Sequence, residues 1–392
     1  MAILVVKEGG IIMIYLDNSA TTKPDQQILA SYTKAATDFF GNPSSIHSIG
    51  MDAERLLRKS REQAASLLEV NHQEIVFTSG GTEGNNLAIK GIALQHQSRG
   101  KHIITSSIEH PSVLEACQGL EMLGFEVSYV DVNKSGLIDI DSLKQKIRED
   151  TILVSIMHVN NEIGTIQPIK QIGEIVKQYP KAFFHVDHVQ GFGKVSMPLY
   201  ECHVDLCTIS GHKFHGLKGT GLLYVRNGVK FYSLAHGGGQ ERAIRSGTEN
   251  VPGIVALVKA MRLAKEKQEN ITTKLPVLQQ KLINHLEKNK RIVINTPTEQ
   301  VAPHILNFSI PGIKPEVVIH ALEQYDIYIS TKSACASKST DESAVLIACG
   351  KPRNVAISGL RISMSYETTE KDIDYLCEKL DDIIQNLRKV MG

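Results

Sequence analysis

Short apolar runs alternate with amphipathic, helix-like stretches through the middle of the chain. The runs have the length of strands, and residues 169–176 between two of them show helical spacing of their apolar residues. The runs cover residues 75–77, 103–105, 127–130, 153–157, 182–186, 206–209 and 221–225. Strands that alternate with helices favour a mainly parallel sheet covered on both faces. The sequence therefore predicts an α/β protein that binds ligands at the carboxyl ends of its strands.

A chain of 392 residues is longer than one ordinary domain. A long helical pattern near residues 252–265 leads to a region of further strand-like runs and a final amphipathic helix. These runs cover residues 305–309, 327–330 and 360–364, and the helix covers residues 372–390. We therefore expect a large domain at 28–260 and a smaller α+β domain at 261–392. We expect the N-terminal segment at 13–27 to join the smaller domain.

Composition narrows the class of protein. The 43 basic and 42 acidic residues nearly balance, which argues against a dedicated nucleic-acid or membrane surface. No apolar run approaches the roughly 20 residues of a membrane span. The six cysteines show neither CxxC spacing nor disulfide density, which predicts a reducing, cytoplasmic compartment, and no metal site is expected.

The first twelve residues form a poor signal peptide. Residues 1–12 are apolar but interrupted by charged residues and glycines at 7–10, and they lack a small-residue cleavage site. The codons of residues 7–10 can spell a purine-rich ribosome-binding sequence just before the codon of Met13. We therefore expect Met13 to be the start and residues 1–12 to be a non-native leader, with an ordered leader strand as the alternative.

Residues 210–219 place a lysine in a small glycine-rich loop directly after an apolar run. A Walker phosphate loop is excluded, because Leu217 stands where its lysine must be. A lysine at the end of a strand can hold an aldehyde cofactor as a Schiff base, and Lys213 is the candidate. The alternative is a surface loop with solvated lysines.

A carboxylate, Asp187, ends the apolar run that precedes this loop. Pyridoxal phosphate acts as an electron sink when its ring nitrogen is protonated, and this requires an anionic partner. Asp187 is the candidate partner. The alternative is an ordinary strand-end aspartate that forms a turn.

Residues 74–79 read as a strand, and a glycine-rich turn follows at 80–84 before a helical pattern at 87–93. A turn of this kind places free N–H groups and the positive end of a helix around an anion. The sequence predicts a phosphate cup here. It does not predict a dinucleotide site, because the GxGxxG spacing is absent.

These motifs together resemble the NifS/IscS-type, pyridoxal-phosphate-dependent cysteine desulfurases of the class V aminotransferase family. The resemblance runs from about Ile14 to the C-terminus and rests on Asp187, Gln190 and the segments 80–83, 109–110, 157–164 and 210–213. It implies fold type I and pyridoxal 5'-phosphate as the cofactor. It also implies that L-cysteine is converted to L-alanine.

The resemblance assigns a role to each matching residue. Lys213 and His110 would be catalytic, with His110 placed on the cofactor ring as a proton carrier. The implied cofactor-binding residues are Gly81, Thr82, Asn161, Asp187, Gln190, Ser210, His212 and Lys213. The loop at 236–248 would cross to a second subunit, so that Thr248 helps hold the phosphate of the neighbouring site in a homodimer. An intrachain glycine loop is the alternative.

Two further residues match the substrate side of the family site. Arg361 would clamp the substrate carboxylate, a task that suits a bidentate guanidinium, and its alternative is a surface salt bridge. Asn42 is the second candidate, although Asn-Pro turns are common.

Cys335 lies in a polar, small-residue segment at 331–340 that is typical of a mobile loop with an exposed cysteine. Lys332 and Lys338 would favour its thiolate. The resemblance implies that Cys335 takes the sulfur as a persulfide and passes it to an acceptor protein for iron–sulfur clusters or for thiolated tRNA and cofactors. An incidental surface cysteine is the alternative. Cys202, Cys207 and Cys349 are expected in the core.

The chain departs from its relatives at His188, Leu217 and Lys332. Strand alternation would place Val189 on the side of Asp187, with His188 on the other side. Other functions remain open: a selenocysteine lyase or aminotransferase of the same fold, a non-catalytic scaffold, and an NAD-dependent enzyme, which the missing fingerprint opposes.

Overall fold

The computed structural model describes residues 13–331 and 342–391, with side chains described to residue 387. Within these residues the chain forms strands in three sheets. In chain order the strands are β1 (Ile14–Tyr15), β2 (Ile75–Thr78), β3 (His102–Ser106), β4 (Glu126–Val130), β5 (Thr151–Met157), β6 (Phe183–Asp187), β7 (Leu206–Ser210), β8 (Gly221–Val225), β9 (Val293–Ile294), β10 (Ile305–Ser309), β11 (Ile327–Tyr328) and β12 (Gly359–Ser363).

Helices connect most of these strands. In chain order they are α1 (Gln26–Asp38), α2 (Ser48–Leu68), α3 (Gly81–His96), α4 (Pro111–Glu121), α5 (Ile140–Lys146), α6 (Ile169–Val176), α7 (Val251–Glu266), α8 (Gln268–Leu286), α9 (Pro315–Glu323), α10 (Ala344–Ala348), α11 (Arg353–Ala356) and α12 (Glu370–Met391). Short 3₁₀ turns cover His72–Glu74, Gly211–Lys213 and Gln240–Ala243. Proline begins α4 and α9, since its fixed φ suits the first helical position.

The seven-stranded sheet has the order β2-β8-β7-β6-β5-β3-β4. The pairs among β3, β4, β5, β6 and β7 are parallel, whereas β8 runs antiparallel to both β2 and β7. The prediction of a mainly parallel α/β sheet is confirmed. All seven apolar runs of the sequence become strands of this sheet, and each matches its observed strand to within two residues at either end.

The register of this sheet brings the ends of its central strands together. Met157 at the end of β5 lies opposite Asp187, and Asp187 lies opposite Thr208 of β7. The residues that follow these positions therefore meet at one edge of the sheet.

Apolar side chains cover both faces of the sheet, as expected of buried parallel strands. Ile104 of β3 packs into a core with Val154 and Phe184, and its neighbour Ile103 packs on the opposite face with Leu153. The first of these cores extends along α7 to Ala264.

A separate core surrounds the smaller sheets. The order β12-β10-β9 is antiparallel, and β1 pairs in parallel with β11. Ile14 and Leu16 pack in this core, together with α8 from Ile271 onward and with α12. The N-terminal segment therefore contributes to the same packing as the C-terminal part of the chain.

Two further predictions concern the cysteines and the helices. The five cysteines among the described residues are free and buried, which confirms the core prediction for Cys202, Cys207 and Cys349. Of the helices that the structure describes, none combines the length and apolar character needed to cross a bilayer.

Candidate active site

A cavity of about 180 Å³ opens at the carboxyl ends of β5, β6 and β7. It is lined by most of the residues that the sequence singled out, although they are far apart along the chain. The predicted residues in this cavity are Gly81, Thr82, His110, Asn161, Asp187, Gln190, Ser210, His212, Lys213 and Arg361.

Lys213 enters this cavity from the short turn after β7. Its Nζ donates hydrogen bonds to the carbonyl oxygens of Ser19 (2.7 Å) and Ala20 (2.8 Å). Gln190 Nε2 also donates to the Ser19 oxygen, at 3.0 Å. The segment that follows β1 therefore holds the lysine at the wall of the cavity.

Asp187, the last residue of β6, is 6 % exposed. Its Oδ2 accepts a hydrogen bond of 2.7 Å from Asn85 Nδ2 in α3, and its Oδ1 accepts one of 3.0 Å from the Val189 N–H. A buried carboxylate needs such bonds to offset the loss of water. It offers a fixed anionic group to a ligand in the cavity.

His110 caps α4 and is held through its Nδ1 atom. Nδ1 accepts from the Ser112 N–H at 3.1 Å and lies 2.8 Å from Ser112 Oγ, which itself accepts from Asn85 Nδ2. Because Nδ1 is an acceptor, the neutral ring carries its proton on Nε2. Burial lowers the pKa of His110, Asp187 opposes this shift, and the charge of Lys213 adds to it.

The glycine-rich turn between β2 and α3 forms a cup for an anion. Gly80 has a φ of 151°, and a Cβ on Gly81 would lie 3.1 Å from Val189 Cγ2. A Cβ on Gly221 of β8 would lie 2.6 Å from Gly80 Cα, so the backbones approach closely here. The N-terminus of the 16-residue helix α3 points its free N–H groups at this place.

Two side chains from the β7 turn complete the cup. Ser210 Oγ is buried and has no hydrogen-bond partner among the described residues. His212 Nδ1 lies 3.1 Å from Thr21 Oγ1, and burial, then the charges of Lys213 and other lysines, lowers its pKa to about 4. The cup therefore presents neutral hydrogen-bonding groups and a helix N-terminus, which suit a phosphate.

Arg361 on β12 is 1 % exposed, which excludes the alternative of a surface salt bridge. Its Nη2 donates to Asp17 Oδ1 at 2.8 Å, and its Nη1 donates to the Asn161 carbonyl at 2.9 Å. Burial raises the pKa of Asp17, while Arg361 opposes that shift. Arg361 Nε has no partner in the described part of the chain.

Two of the predicted residues that the structure describes, Asn42 and Thr248, do not line this cavity. Asn42 is exposed, and its Oδ1 accepts from the Ser44 N–H at 2.9 Å, as in an Asx turn. Thr248 is exposed and lines another cavity, of about 220 Å³, with Ser79. Cys335 lies outside the described residues, as do Lys332 and the residues 1–12 of the expected leader.

Sequence reasoning missed Asn85 and Ser112, which hold Asp187 and His110 in place. The sequence spacing could have pointed to both residues. Asn85 lies four residues after Gly81 and therefore on the same face of the helix. Ser112 lies two residues after a histidine at a helix start, where capping bonds form. The partner of each side chain is set by the tertiary fold, which the spacing alone does not show.

His188, a departure from the relatives, lies behind the cavity. Its Nδ1 lies 2.8 Å from His158 Nδ1, both rings are buried, and Val189 lines the cavity beside Asp187. The predicted alternation of Val189 and His188 is thus confirmed. Burial lowers the pKa of His188, and it lowers that of His158 to about 4.

Glu109 is a buried acid next to His110. It is 4 % exposed, and its Oε1 accepts from Ser106 Oγ (2.6 Å) and from the Met157 N–H (3.1 Å). Burial raises its pKa from 4.5 to about 8, and the charge of Asp187 adds to this shift. The carboxyl is therefore protonated at neutral pH in the folded protein.

We predict that Glu109→Gln removes a pH dependence of stability. Above pH 4.5 the unfolded carboxyl loses a proton that the folded one keeps until about pH 8, so rising pH destabilises the wild type by a few kcal/mol. The variant should therefore gain in melting temperature relative to the wild type as pH rises through this window. Calorimetry across that pH range measures the difference in melting temperature between the variant and the wild type. Glu121→Gln, at an exposed position, is the control. A gap that does not change with pH would contradict the assignment.

Comparisons with known proteins agree with this site. A model of the family described as aminotransferase class-V matches residues 14–376. A NifS/IcsS protein homolog from Lactobacillus delbrueckii subsp. bulgaricus is 47 % identical over 380 residues, covering 96 % of this chain and 99 % of that protein. A cysteine desulfurase IscS from Methanosarcina thermophila is 46 % identical over 378 residues, covering 96 % and 93 %.

The fold of this chain also agrees with that of a solved structure. A solved structure described as a NifS-like protein superposes with a TM-score of 0.90 at 40 % identity, covering 95 % of this chain and 100 % of that one. The prediction of a fold-type I enzyme is confirmed by this similarity.

Proposed function

The chain belongs to the aminotransferase class-V family, and from this premise we propose that it is a cysteine desulfurase whose active site is the cavity described above. Pyridoxal 5'-phosphate is the cofactor of this family. Relatives named cysteine desulfurase match nearly the full length of the chain and do not favour a selenocysteine lyase or an aminotransferase. The observation that carries the proposal is the meeting of Lys213 and the buried carboxylate Asp187 in one cavity.

The cavity fits the cofactor at both of its charged ends. Gly81, Thr82, Ser210 and His212 would hold the phosphate, since Ser210 Oγ is a buried hydroxyl still able to donate. Asp187 would bind the protonated ring nitrogen. Gln190 and Asn161 would contact the ring oxygen and its surroundings; Gln190 Oε1 is buried without a partner among the described residues.

The bound cofactor supplies an electron sink at the substrate carbon. Lys213 holds and releases the cofactor aldehyde and moves a proton at its Nζ. His110 offers a second proton at Nε2, since Ser112 fixes its Nδ1 as an acceptor. Met157 and Val159 add apolar surface to the lining of this cavity beside these groups.

Arg361 would bind the substrate carboxylate through the part of its guanidinium that Asp17 does not occupy. Its burial and its bond to the Asn161 carbonyl orient the fork toward the cavity. Asn42 would reach substrate from the exposed turn that it forms.

Cys335 would carry the sulfur. Its thiolate forms an S–S bond with the substrate sulfur, the substrate C–S bond breaks, and the electron pair stays with the substrate carbon, which takes up a proton to give L-alanine. The products are L-alanine and a persulfide on Cys335. An acceptor protein then takes the outer sulfur for iron–sulfur clusters or for thiolated tRNA and cofactors, in the cytoplasm.

A homodimer would complete the site. Thr248 is exposed and lies outside the cavity of its own chain, which supports a role in the neighbouring site. Phe40 and Ile46, 71 % and 96 % exposed, are apolar surface that a second subunit would cover. We also propose the domain division 28–260 and 261–392, joined by 13–27.

We expect borohydride to fix the cofactor on Lys213. The holoenzyme should be yellow, and reduction followed by peptide mass spectrometry should find the pyridoxyl adduct on Lys213. Lys194, a buried lysine whose Nζ bonds the Lys213 carbonyl, is the internal control. An adduct on Lys194, or one that persists in Lys213→Ala, would refute the assignment.

Cys335→Ser should separate cofactor chemistry from sulfur transfer. The variant should bind the cofactor and change its absorbance when L-cysteine is added, because Cys335 acts only later. Alanine formation should fall by about 10²-fold or more, since a hydroxyl cannot take up sulfur as a thiolate does. Cys202→Ala, at a buried cysteine, is the control. Desulfuration by Cys335→Ser at the wild-type rate would overturn the proposed nucleophile.

Mixed dimers test whether Thr248 crosses between subunits. Thr248→Ala should weaken cofactor retention about tenfold, the effect of one lost charge-assisted hydrogen bond. A dimer of one Thr248→Ala and one Lys213→Ala subunit should then regain one intact site, with about half the wild-type activity. If Thr248 served its own chain, this dimer would instead show half the activity of Thr248→Ala alone.

A further inference from the structure

A second, smaller cavity shares Lys213 with the candidate active site. It has a volume of about 20 Å³ and lies between the two cores, with apolar walls that include Phe192, Leu263 and Met364. A cavity needs about 10–15 Å³ to hold one particle of the size of water. The volume therefore suits a single small ligand.

Lys194 brings a buried positive charge to this cavity. It is 8 % exposed, and its Nζ donates to the Lys213 carbonyl at 3.1 Å. Across residues 13–331 and 342–387, no carboxylate lies within salt-bridge distance of this ammonium, although a buried charge without a counter-charge is costly. Burial, then the charge of Lys213, lowers the pKa of Lys194 to about 7.

His304 brings a second buried group that still has hydrogen-bonding capacity. It is 1 % exposed, and neither its Nδ1 nor its Nε2 has a partner among the described residues. His304 and Lys194 both line this cavity. Burial lowers the pKa of His304, and the charges of Lys194 and Arg361 add to that shift. Buried polar atoms are nearly always bonded, so two ring nitrogens without a protein partner beside a cavity indicate that a water molecule or an ion binds there.

The other polar groups of the cavity determine the sign of that ligand. Asp25 is the carboxylate in its lining, and it pairs with Lys267 at 3.3 Å and accepts from the Gln27 N–H. His215 contacts the Lys23 carbonyl through its Nδ1, and burial lowers its pKa to about 4. Lys194 thus leaves an excess of positive charge, which disfavours a cation.

We propose that this cavity binds one halide-sized monovalent anion between Nζ of Lys194 and a ring N–H of His304. Both groups donate hydrogen bonds, and the ammonium supplies the opposite charge. Sulfate and phosphate exceed the volume. Since Lys194 also holds the Lys213 carbonyl, the anion stabilises the charge beside the lysine of the active site.

Bromide in crystals of the holoenzyme tests the position directly. Anomalous scattering at the bromine edge should show a peak between Lys194 and His304 in the wild type and in Lys218→Met, an exposed-lysine control. The peak should be lost in Lys194→Met. A wild-type density that refines as water in saturating bromide, with no anomalous signal, overturns the proposal.

A solution measurement needs no variant to crystallise. At constant ionic strength, the melting temperature of the holoenzyme should rise by about 1 °C or more when gluconate is replaced by chloride between about 10 and about 500 mM. His304→Phe and Lys194→Met should each lose this rise, while Lys218→Met keeps it. An equal rise in all four proteins means a general salt effect and overturns the site.

Discussion

The buried carboxylate of Asp187 determines how the elements around the site are arranged. Placed at the end of a central strand and 6 % exposed, it needs hydrogen bonds to remain charged away from water. Asn85 supplies one bond from α3, and the same Asn85 amide bonds Ser112, which in turn fixes His110 at the start of α4. One charge thus orients two helix N-termini and the proton on the His110 ring.

The N-terminal segment is held by the chemistry of the same site. Lys213 binds the carbonyls of Ser19 and Ala20, and Arg361 from the second core pairs with Asp17. The Arg361 side chain is 1 % exposed and that of Asp17 is 20 % exposed, so loss of Asp17 would leave a buried guanidinium without its counter-charge, at a cost of about 3–5 kcal/mol. Packing of the two cores against each other and formation of the cavity are therefore coupled through this segment.

The local sequence was sufficient to predict much of the fold and of the reactive centre. Apolar runs located all seven strands of the large sheet, and strand ends located Lys213 and Asp187. The antiparallel placement of β8 and the pairing of Arg361 with Asp17, 344 positions apart, have no local signature. Asn85 likewise meets Asp187 across 102 positions. Such contacts depend on strand order, which hydrophobic periodicity does not encode.

Two buried groups with pKa values near neutrality, Glu109 and Lys194, lie behind the site. Burial lowers the pKa of the histidines around the two cavities, so they are neutral at pH 7; they are His110, His158, His188, His212, His215 and His304. Glu109 and Lys194, with pKa values of about 8 and about 7, both change charge close to neutrality. Glu109 lies beside His110, and Lys194 holds the Lys213 backbone. The pH dependence of activity near neutrality therefore reflects the protonation of Glu109 and Lys194 as well as that of the reacting groups.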